Sequence, residues 1–213
     1  MTGEPLSVDL LSPCYWPEVR RGSERFVHEL ASGLLRRGHR PRLITSHPAR
    51  PTTSVEDGLP IVRLWRPPTG WLESRGFEHY LAHWPFSEVA LRRGHADLAH
   101  AVFATDALAA ARWSRSTGRP SVLSFMGIPD HVGLHCRRLR FAVTRRAVAG
   151  CDATVALSQV AAEAFWRHLG VEARVIHPGV DLEAFATGGE RTPSRPCSAV
   201  RRSTNPASAW TSC

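Results

Sequence analysis

The chain has 213 residues, of which 43% are hydrophobic and 22% are charged. This balance excludes an intrinsically disordered protein and fits one large domain or two small ones. No apolar run reaches the length of about 18 residues that a membrane span needs. The N-terminus lacks the basic start and long apolar core of a signal peptide. We therefore expect a cytoplasmic protein.

The formal net charge is +8, and all of the 27 Lys and Arg residues are arginines. The last twenty residues supply +3 of this charge through Arg195, Arg201 and Arg202, which leaves an ordinary +5 for the rest. No RNP-like aromatic motif or zinc-finger spacing is present, so we predict no nucleic-acid partner. The five cysteines are scattered without a CxxC pair, which favours buried free thiols over a zinc site or a disulfide framework.

The start of the chain predicts a strand, a helix and a second strand. Leu6–Ser12 is a short apolar run that ends at Pro13, as is typical of a buried strand. Apolar residues at helical spacing follow, with Ser23 as the expected N-cap and Gly38 as a left-handed glycine at the other end. Arg40–Ser46 is predicted to be the next strand. Units of this kind build parallel sheets.

The same alternation continues to about residue 180. A partly irregular helical insertion is expected at Trp71–Arg93, broken near Pro85. Further helices are predicted at Asp106–Ser114, Arg137–Ala149 and Gln159–His168. Further strands are predicted at Ile61–Trp65, Ala96–Phe103, Ser121–Gly127, Asp152–Ser158 and Ala173–Val180. Strands that alternate with helices over this length favour an α/β fold with a doubly wound parallel sheet, Rossmann-like in type.

Ligands of an open parallel sheet bind at the carboxyl ends of its strands. Four places qualify, and they are Pro13–Glu24, Ser46–Pro48, Met126–Asp130 and Ser158. In the first, Gly22 and Ser23 lie where a helix begins, so free N–H groups can hold an anion there, with Arg20 and Arg21 adding charge. A simple capped helix start is the plainer interpretation. The segment RGSE does not have the GxGxxG spacing of a dinucleotide site.

The glycine that follows the strand at Ser121–Gly127 marks a second candidate, because glycine lets the backbone approach a ligand. Asp130 and His131 beside it are titratable, although solvated residues at a helix start are the plainer interpretation. His100 lies inside a predicted strand, and we interpret it as a hydrogen-bonded strand residue and not as a ligand.

Four stretches together resemble the family-four, GT-B glycosyltransferases. The stretch SPCYWPEVRRGSERFVHELASGLLRRGHRPRLIT has the family's opening strand, proline–aromatic loop, glycine turn and helix that ends in an RGH unit. ADLAHAVF resembles its fourth strand, and DATVALSQVAAEAF resembles the strand and serine before its last helix. VIHPGVDLEAF resembles the link between the family's two Rossmann domains, usually V-I-P-N-G-V-D-x-x-x-F, and is the most specific. The resemblance covers residues 6 to about 186.

This resemblance implies a retaining transferase that moves a sugar from a nucleotide-sugar to an acceptor. The sequence shows no metal site, and we expect no cofactor. The N-terminal domain is the acceptor side, and the C-terminal domain holds the nucleotide-sugar. The acceptor side or the phosphate side of the cleft would be lined by Tyr15, Arg21, Gly22, Ser23, Glu24, Met126, Gly127 and Ser158. The catalytic residue stays unknown. Two positions depart from the family, because Arg21 replaces the first glycine of a pair and Met126 stands where many members carry histidine.

The end of the chain has no apolar period, and it reads RPCSAVRRSTNPASAWTSC from Arg195 to Cys213. If each codon is read one base earlier, the shifted frame is compatible with T-L-L-C-S-A-A-V-D-E-P-R-K-R-V-D-L-L. That phrase resembles the first strand of the family's second domain, followed by its arginine–lysine pair. We therefore predict a domain at residues 1–186, and a linker with a non-native, frameshifted tail at residues 187–213. A natural disordered tail is the competing interpretation.

Three expectations about function follow. The chain is expected to be inactive alone, because the donor half is missing, and the nucleotide-sugar and an unknown acceptor would be partners of the full-length form. The alternative is a stand-alone domain that binds an acceptor or a protein partner without catalysis. A peripheral contact with the inner face of the membrane is compatible with both hypotheses. It would use the arginines around an apolar stripe, which are Arg137, Arg138, Arg145 and Arg146. A solvated helix face is the plainer interpretation.

Overall fold

Strands and helices alternate along residues 4–16, 18–19 and 21–179, which are the residues that the computed structural model describes. The strands are β1 Ser7–Leu11, β2 Arg40–His47, β3 Thr52–Glu56, β4 Leu59–Trp65, β5 Leu98–Ala101, β6 Ser121–Phe125, β7 Ala153–Ala156 and β8 Arg174–Val175. The helices are α1 Gly22–Arg36, α2 Gly70–Ser74, α3 His83–Arg92, α4 Ala104–Thr117, α5 His131–His135, α6 Arg140–Gly150 and α7 Gln159–Leu169. The chain divides into units at residues 1–177 and 178–213, and these elements all belong to the first.

The strands form one sheet in the order β3-β4-β2-β1-β5-β6-β7-β8. Every neighbouring pair is parallel except β3 and β4, which are antiparallel. Without β3, the order is that of a doubly wound sheet in which the direction of winding reverses between β1 and β5. The predicted Rossmann-like α/β fold is therefore confirmed.

Alternate residues of β1 point to opposite faces of the sheet, as strand geometry requires. Val8 and Leu10 are buried in a cluster with Val27 and Ala31 of α1. Leu11 belongs instead to the larger cluster, which holds Leu91 of α3, Trp113 of α4 and Phe165 of α7. Both faces of the central strands are thus covered by helices, which explains why their sequences are almost continuously apolar.

The structure corrects three local predictions. Arg21, and not Ser23, is the N-cap of α1. The irregular stretch between α2 and α3 spans residues 75–82, whereas Pro85 lies in the first turn of α3, where a missing N–H is harmless. Strand β3 was not predicted, because Thr52–Glu56 has mostly exposed side chains and no apolar alternation.

Other local predictions are confirmed. Gly38 has a φ of 79° just beyond α1, so it takes the left-handed conformation expected of it. His100 is a hydrogen-bonded strand residue, since its Nε2 lies 2.8 Å from the hydroxyl of Ser124 on β6. The predicted tail at residues 187–213 lies outside the described residues.

We predict that His100 makes the stability of the domain depend on pH. Burial lowers the pKa of His100 to about 4, whereas an unfolded histidine titrates near about 6.5. Between these values the unfolded chain binds a proton that the folded chain does not, so stability falls as the pH falls. The expected loss from pH 7 to pH 5 is about 2 kcal/mol.

The measurement is urea denaturation across this pH range for the wild type and for His100→Gln. The variant should lose most of the pH dependence, while His131→Gln, which changes an exposed histidine, should retain it. Equal pH profiles for the wild type and His100→Gln would contradict the assignment.

Candidate functional site

The chain leaves the adjacent strands β1 and β5 toward opposite faces of the sheet. After β1 it leads into α1, and after β5 it leads into α4. The carboxyl ends of two strands that separate in this way leave a crevice, which is where open α/β sheets bind ligands. The loop from Ser12 to Arg21 and the start of α4 therefore border the candidate site.

Glu24 holds the β1–α1 loop together from inside the protein. Its side chain is fully buried, and its carboxylate accepts hydrogen bonds from the Cys14 thiol at 2.9 Å and from the Arg21 backbone N–H at 3.1 Å. Burial, followed by the bond to Glu24, raises the pKa of Cys14 to about 12, so the thiol stays protonated as a donor. Glu24 is thus a bracing residue of the loop and has no exposed surface for a ligand.

Arg21 lies on the solvent side of the same cluster, and 58% of its side chain is exposed. One nitrogen, Nη2, makes its contacts with Cys14 Sγ at 3.5 Å, Glu24 Oε1 at 3.4 Å and the Tyr80 hydroxyl at 3.3 Å. The bond to Tyr80 is the main reason that the pKa of Arg21 is raised. Within the described ranges, the other two guanidinium nitrogens contact no acceptor, so they are available to a ligand.

A cavity of about 300 Å³ opens next to Arg21. Its walls come from residues 78–80, the start of α4, the end of β6 and the helices α5 and α6. Arg140 and Glu78 form a paired contact across it, with Nε to Oε2 at 2.6 Å and Nη2 to Oε1 at 3.0 Å. The cavity therefore has a largely apolar wall and a polar side bordered by Arg21.

The structure brings some of the predicted site residues together. Arg21 and Glu24 are in contact, and Gly22 follows at the exposed start of α1, where an added Cβ would meet nothing within 4 Å. Met126 packs on the cluster that contains Tyr15. Ser23 is half-buried in the first turn of α1. These residues surround the crevice from the α1 side.

Tyr15 also borders a second cavity, of about 540 Å³, on the β2 and β4 side. Its hydroxyl lies 2.9 Å from Nδ1 of His28. Ser46, from the second predicted loop, lines the same cavity, and its hydroxyl donates a hydrogen bond to the Pro13 carbonyl at 2.5 Å. The two cavities thus flank the β1–α1 loop.

Other predicted residues lie apart from this cluster. Ser158 is the N-cap of α7, and its hydroxyl accepts a hydrogen bond from the Ala161 N–H at 3.2 Å. It follows β7, which is two strands and therefore about 10 Å away from β5. Asp130 caps α5 by accepting from the Gly133 N–H at 2.6 Å, so the plainer interpretation of this residue is correct. Gly127 is exposed in the loop after β6.

Several residues that line the first cavity were not predicted from the sequence, among them Tyr80, Thr105 and Arg140. Tyr80 has a φ of 57° in the irregular stretch before α3, and no sequence pattern indicates it. Thr105 could have been found, because it follows the fourth strand of the parallel series, which this strand order places beside the first. Within the described ranges, no group of three or more His, Cys, Asp or Glu residues is arranged to hold a metal ion.

Comparison with known proteins gives the family. The model of Glycosyltransferase Family 4 matches residues 20–184. The chain belongs to this family. No curated protein matches the chain.

Several solved structures of glycosyltransferases share the fold of this family-4 chain. Sucrose-phosphate synthase from Thermosynechococcus elongatus is 14% identical with a TM-score of 0.63, over 84% of this chain and 49% of that one. HepE from Anabaena, in complex with UDP and glucose, is 17% identical with a TM-score of 0.57, over 84% and 46%. The trehalose 6-phosphate synthase from Burkholderia multivorans is 11% identical with a TM-score of 0.52, over 86% and 51%. The chain therefore spans about half the length of these proteins.

We predict that Glu24→Ala destabilises the domain by about 2 kcal/mol, because it leaves the buried Cys14 thiol without its acceptor and removes the bond to the Arg21 N–H. Glu29→Ala in the same helix is the matched control. Glu29 is 49% exposed and pairs with Arg25 on the surface, so its loss should cost less than about 0.5 kcal/mol. Chemical denaturation of both variants measures the difference, and equal losses would show that Glu24 does not brace the loop.

Proposed function

We propose that the chain is the acceptor-side half of a retaining glycosyltransferase, which transfers a sugar from a nucleotide-sugar to an acceptor when a donor domain follows. The observation that carries this proposal is the family match across residues 20–184, which includes the Arg21–Gly22 turn at the crevice. HepE from Anabaena, one of the solved relatives in fold, is in complex with UDP-glucose. This chain covers about half the length of these solved structures, which supports a second domain after residues 1–186 in the full-length form.

Gly22 has a specific role in this proposal. It begins α1, its added Cβ would meet open space, and the described fold gives no packing reason for a glycine there. A missing side chain lets a diphosphate approach the N–H groups at the start of the helix. The exposed guanidinium of Arg21 lies beside this position and can offset negative charge on the leaving group.

Catalysis in this class would rest on positioning of the two substrates and on stabilisation of the leaving diphosphate. Glu24 would hold the turn in place from beneath, without touching substrate. Met126 has no hydrogen-bonding group for a sugar hydroxyl where many family members carry histidine, so acceptor recognition would depend on other side chains. We assign no general base to this half.

We predict that the 213-residue chain does not consume a nucleotide-sugar, whereas a chain with its reading frame restored near codons 190–196 does. In the restored chain, Gly22→Ala should raise the KM for the donor at least tenfold, because the new Cβ occupies the path of the diphosphate. Gly33→Ala, also in α1, is the control and should leave KM unchanged. The readout is release of nucleoside diphosphate.

Turnover by the 213-residue chain at an ordinary rate of about 10 s⁻¹ would contradict the proposal. Acceptor binding by both chains with no consumption of nucleotide-sugar would support the stand-alone binding domain instead. An unchanged KM in Gly22→Ala would remove that residue from the donor site.

We further propose a peripheral contact with an anionic membrane through the region of α5 and α6. No helix in the described ranges combines the length and the apolar character that a membrane span requires. Three apolar side chains are nevertheless well exposed here, namely Ile128 at 53%, Val132 at 71% and Leu139 at 48%. Arg145 and Arg146 are exposed on α6. Apolar side chains next to cations are what an interfacial contact needs.

The arginines of this region are not equivalent. Arg137 donates to the backbone carbonyls of Glu73 at 3.2 Å and Phe77 at 3.4 Å. Arg138 lies over the ring of Phe77 at 5.6 Å. Arg145 lies in the same way over the ring of Phe141 at 5.5 Å, within its own helix. Arg137 is therefore the side chain most used within the fold, and a test of membrane contact changes the exposed Arg145 and Arg146 of α6.

We predict that the chain sediments with vesicles that contain about 30% phosphatidylglycerol. Each basic residue near the surface of an anionic membrane contributes about 1 kcal/mol to binding. The double variant Arg145→Gln and Arg146→Gln should weaken this binding severalfold. Salt at about 0.5 M should do the same, because it screens the attraction between the arginines and the anionic lipids. A control with Arg36→Gln and Arg37→Gln, which changes two exposed arginines at the end of α1, should bind like the wild type. Equal binding by both double variants would contradict the contact.

A further inference from the structure

Helix α2 and the residues after it are joined by hydrogen bonds to the junction between α5 and α6. The Arg138 N–H donates to the Gly76 carbonyl at 2.6 Å, and Arg138 pairs with Phe77 as a parallel bridge. Arg137 adds its bonds to the carbonyls of Glu73 and Phe77. The two segments therefore lie side by side, although 64 residues separate Glu73 from Arg137 in the sequence.

Trp71 exposes a large apolar ring on α2. Its exposed fraction is 59%, whereas tryptophan side chains in folded proteins are highly buried on average. The guanidinium of Arg75, which is itself exposed, lies 5.2 Å from the centre of this ring. An indole ring with a cation beside it suits the boundary between lipid headgroups and acyl chains, because the ring is apolar while the cation reaches the phosphates.

Leu139 holds an unfavourable backbone conformation at the start of α6. Its φ is 71°, in the left-handed region, where the Cβ of an L-residue is crowded and glycine is favoured. The side chain is nevertheless 48% exposed, so burial within the domain offsets little of this strain. Strained residues cluster at functional sites, and a contact made outside the domain would account for a leucine here.

The acidic residues of these two segments are engaged within the fold. Glu73 Oε2 lies 2.9 Å from Nδ1 of His79, and Glu78 is held by Arg140 through two hydrogen bonds. Asp130 caps α5. The exposed basic residues leave an excess of positive charge, which complements an anionic lipid surface. They are Arg75, Arg138, Arg145 and Arg146.

We propose that Trp71 and Leu139 anchor the domain in the interface of an anionic membrane. Trp71 lies at the level of the headgroups, Arg75 beside it binds a lipid phosphate, and Leu139 packs against the upper part of the acyl chains. The membrane as the partner rests on the proposed peripheral contact of α5 and α6. That contact now includes α2, which is remote from these helices in the sequence.

Fluorescence quenching by brominated lipids tests the position of Trp71. The probe is a vesicle of phosphatidylglycerol and brominated phosphatidylcholine, and the chain has seven tryptophans, so single variants assign the signal by difference. Trp71→Phe should remove most of the quenching that vesicles cause. Trp166→Phe, which changes a 68% exposed tryptophan on α7, should retain it. Unchanged quenching in Trp71→Phe, or none in the wild type, would overturn the placement of Trp71.

Leu139→Gly separates a membrane role from a structural one. Glycine adopts the left-handed conformation without strain, so the variant should keep the wild-type midpoint of urea unfolding. It should nevertheless sediment with anionic vesicles roughly threefold more weakly, because it has lost an apolar side chain from the contact. A lower midpoint with unchanged vesicle binding would show that Leu139 serves the fold alone, and would overturn its role as an anchor.

Trp71→Ala should weaken vesicle binding roughly fivefold, since it removes more apolar area than Leu139→Gly does. Trp166→Ala is the matched control and should bind like the wild type.

The anchors and the contact of α5 and α6 can fail separately. If Trp71→Ala and Leu139→Gly both sediment like the wild type, while the double variant Arg145→Gln and Arg146→Gln does not, the anchors are overturned and the peripheral contact stands. If the wild type does not sediment with anionic vesicles at all, both proposals are overturned.

Discussion

The reversal of strand order between β1 and β5 is the constraint on which the functional site depends. Because α1 and α4 leave the sheet toward opposite faces, a crevice remains at the carboxyl ends of these two strands. The starts of both helices border it. The free N–H groups at the start of a helix favour negative charge, so the topology alone creates two places beside the crevice that suit an anion.

The side chains around the two helix starts make different hydrogen bonds. At α1, the buried carboxylate of Glu24 binds the thiol of Cys14 and the backbone of Arg21, and so fixes the loop. At α4, the N-cap Phe103 makes no side-chain cap hydrogen bond, and the buried Thr105 hydroxyl has no partner among the residues that the structure describes. The start of α1 is therefore braced from inside the protein, whereas the N-cap side chain of α4 supplies no such bond.

The alternation of strands and helices could be predicted from the sequence, because the buried strands are short apolar runs and the helices show apolar residues at helical spacing. Strand β3 could not be found in this way, since Thr52–Glu56 is mostly exposed. Its turn does carry a signal, as Asp57 and Gly58 both have positive φ values, the conformation that an Asp-Gly hairpin favours.

The side chains of the cavity were harder to predict because they come together over long distances in the sequence. Arg21 meets Tyr80 across 59 residues, and Arg140 meets Glu78 across 62. Tyr80 and Glu78 lie in the irregular stretch between α2 and α3, which no periodic pattern describes. The family motif around Arg21 and Gly22 indicated where the crevice lies, but it did not indicate which residues of other segments line it.

We propose that this chain is one half of a two-domain sugar transferase. The most direct measurement is to sequence the gene from about codon 185 onward and to translate all three frames. We predict that a shifted frame continues through a second Rossmann-like domain, which carries an arginine–lysine pair near its start and glutamates further on. If no frame continues in this way, the account is wrong, and the chain is a separate binding domain with a tail of its own.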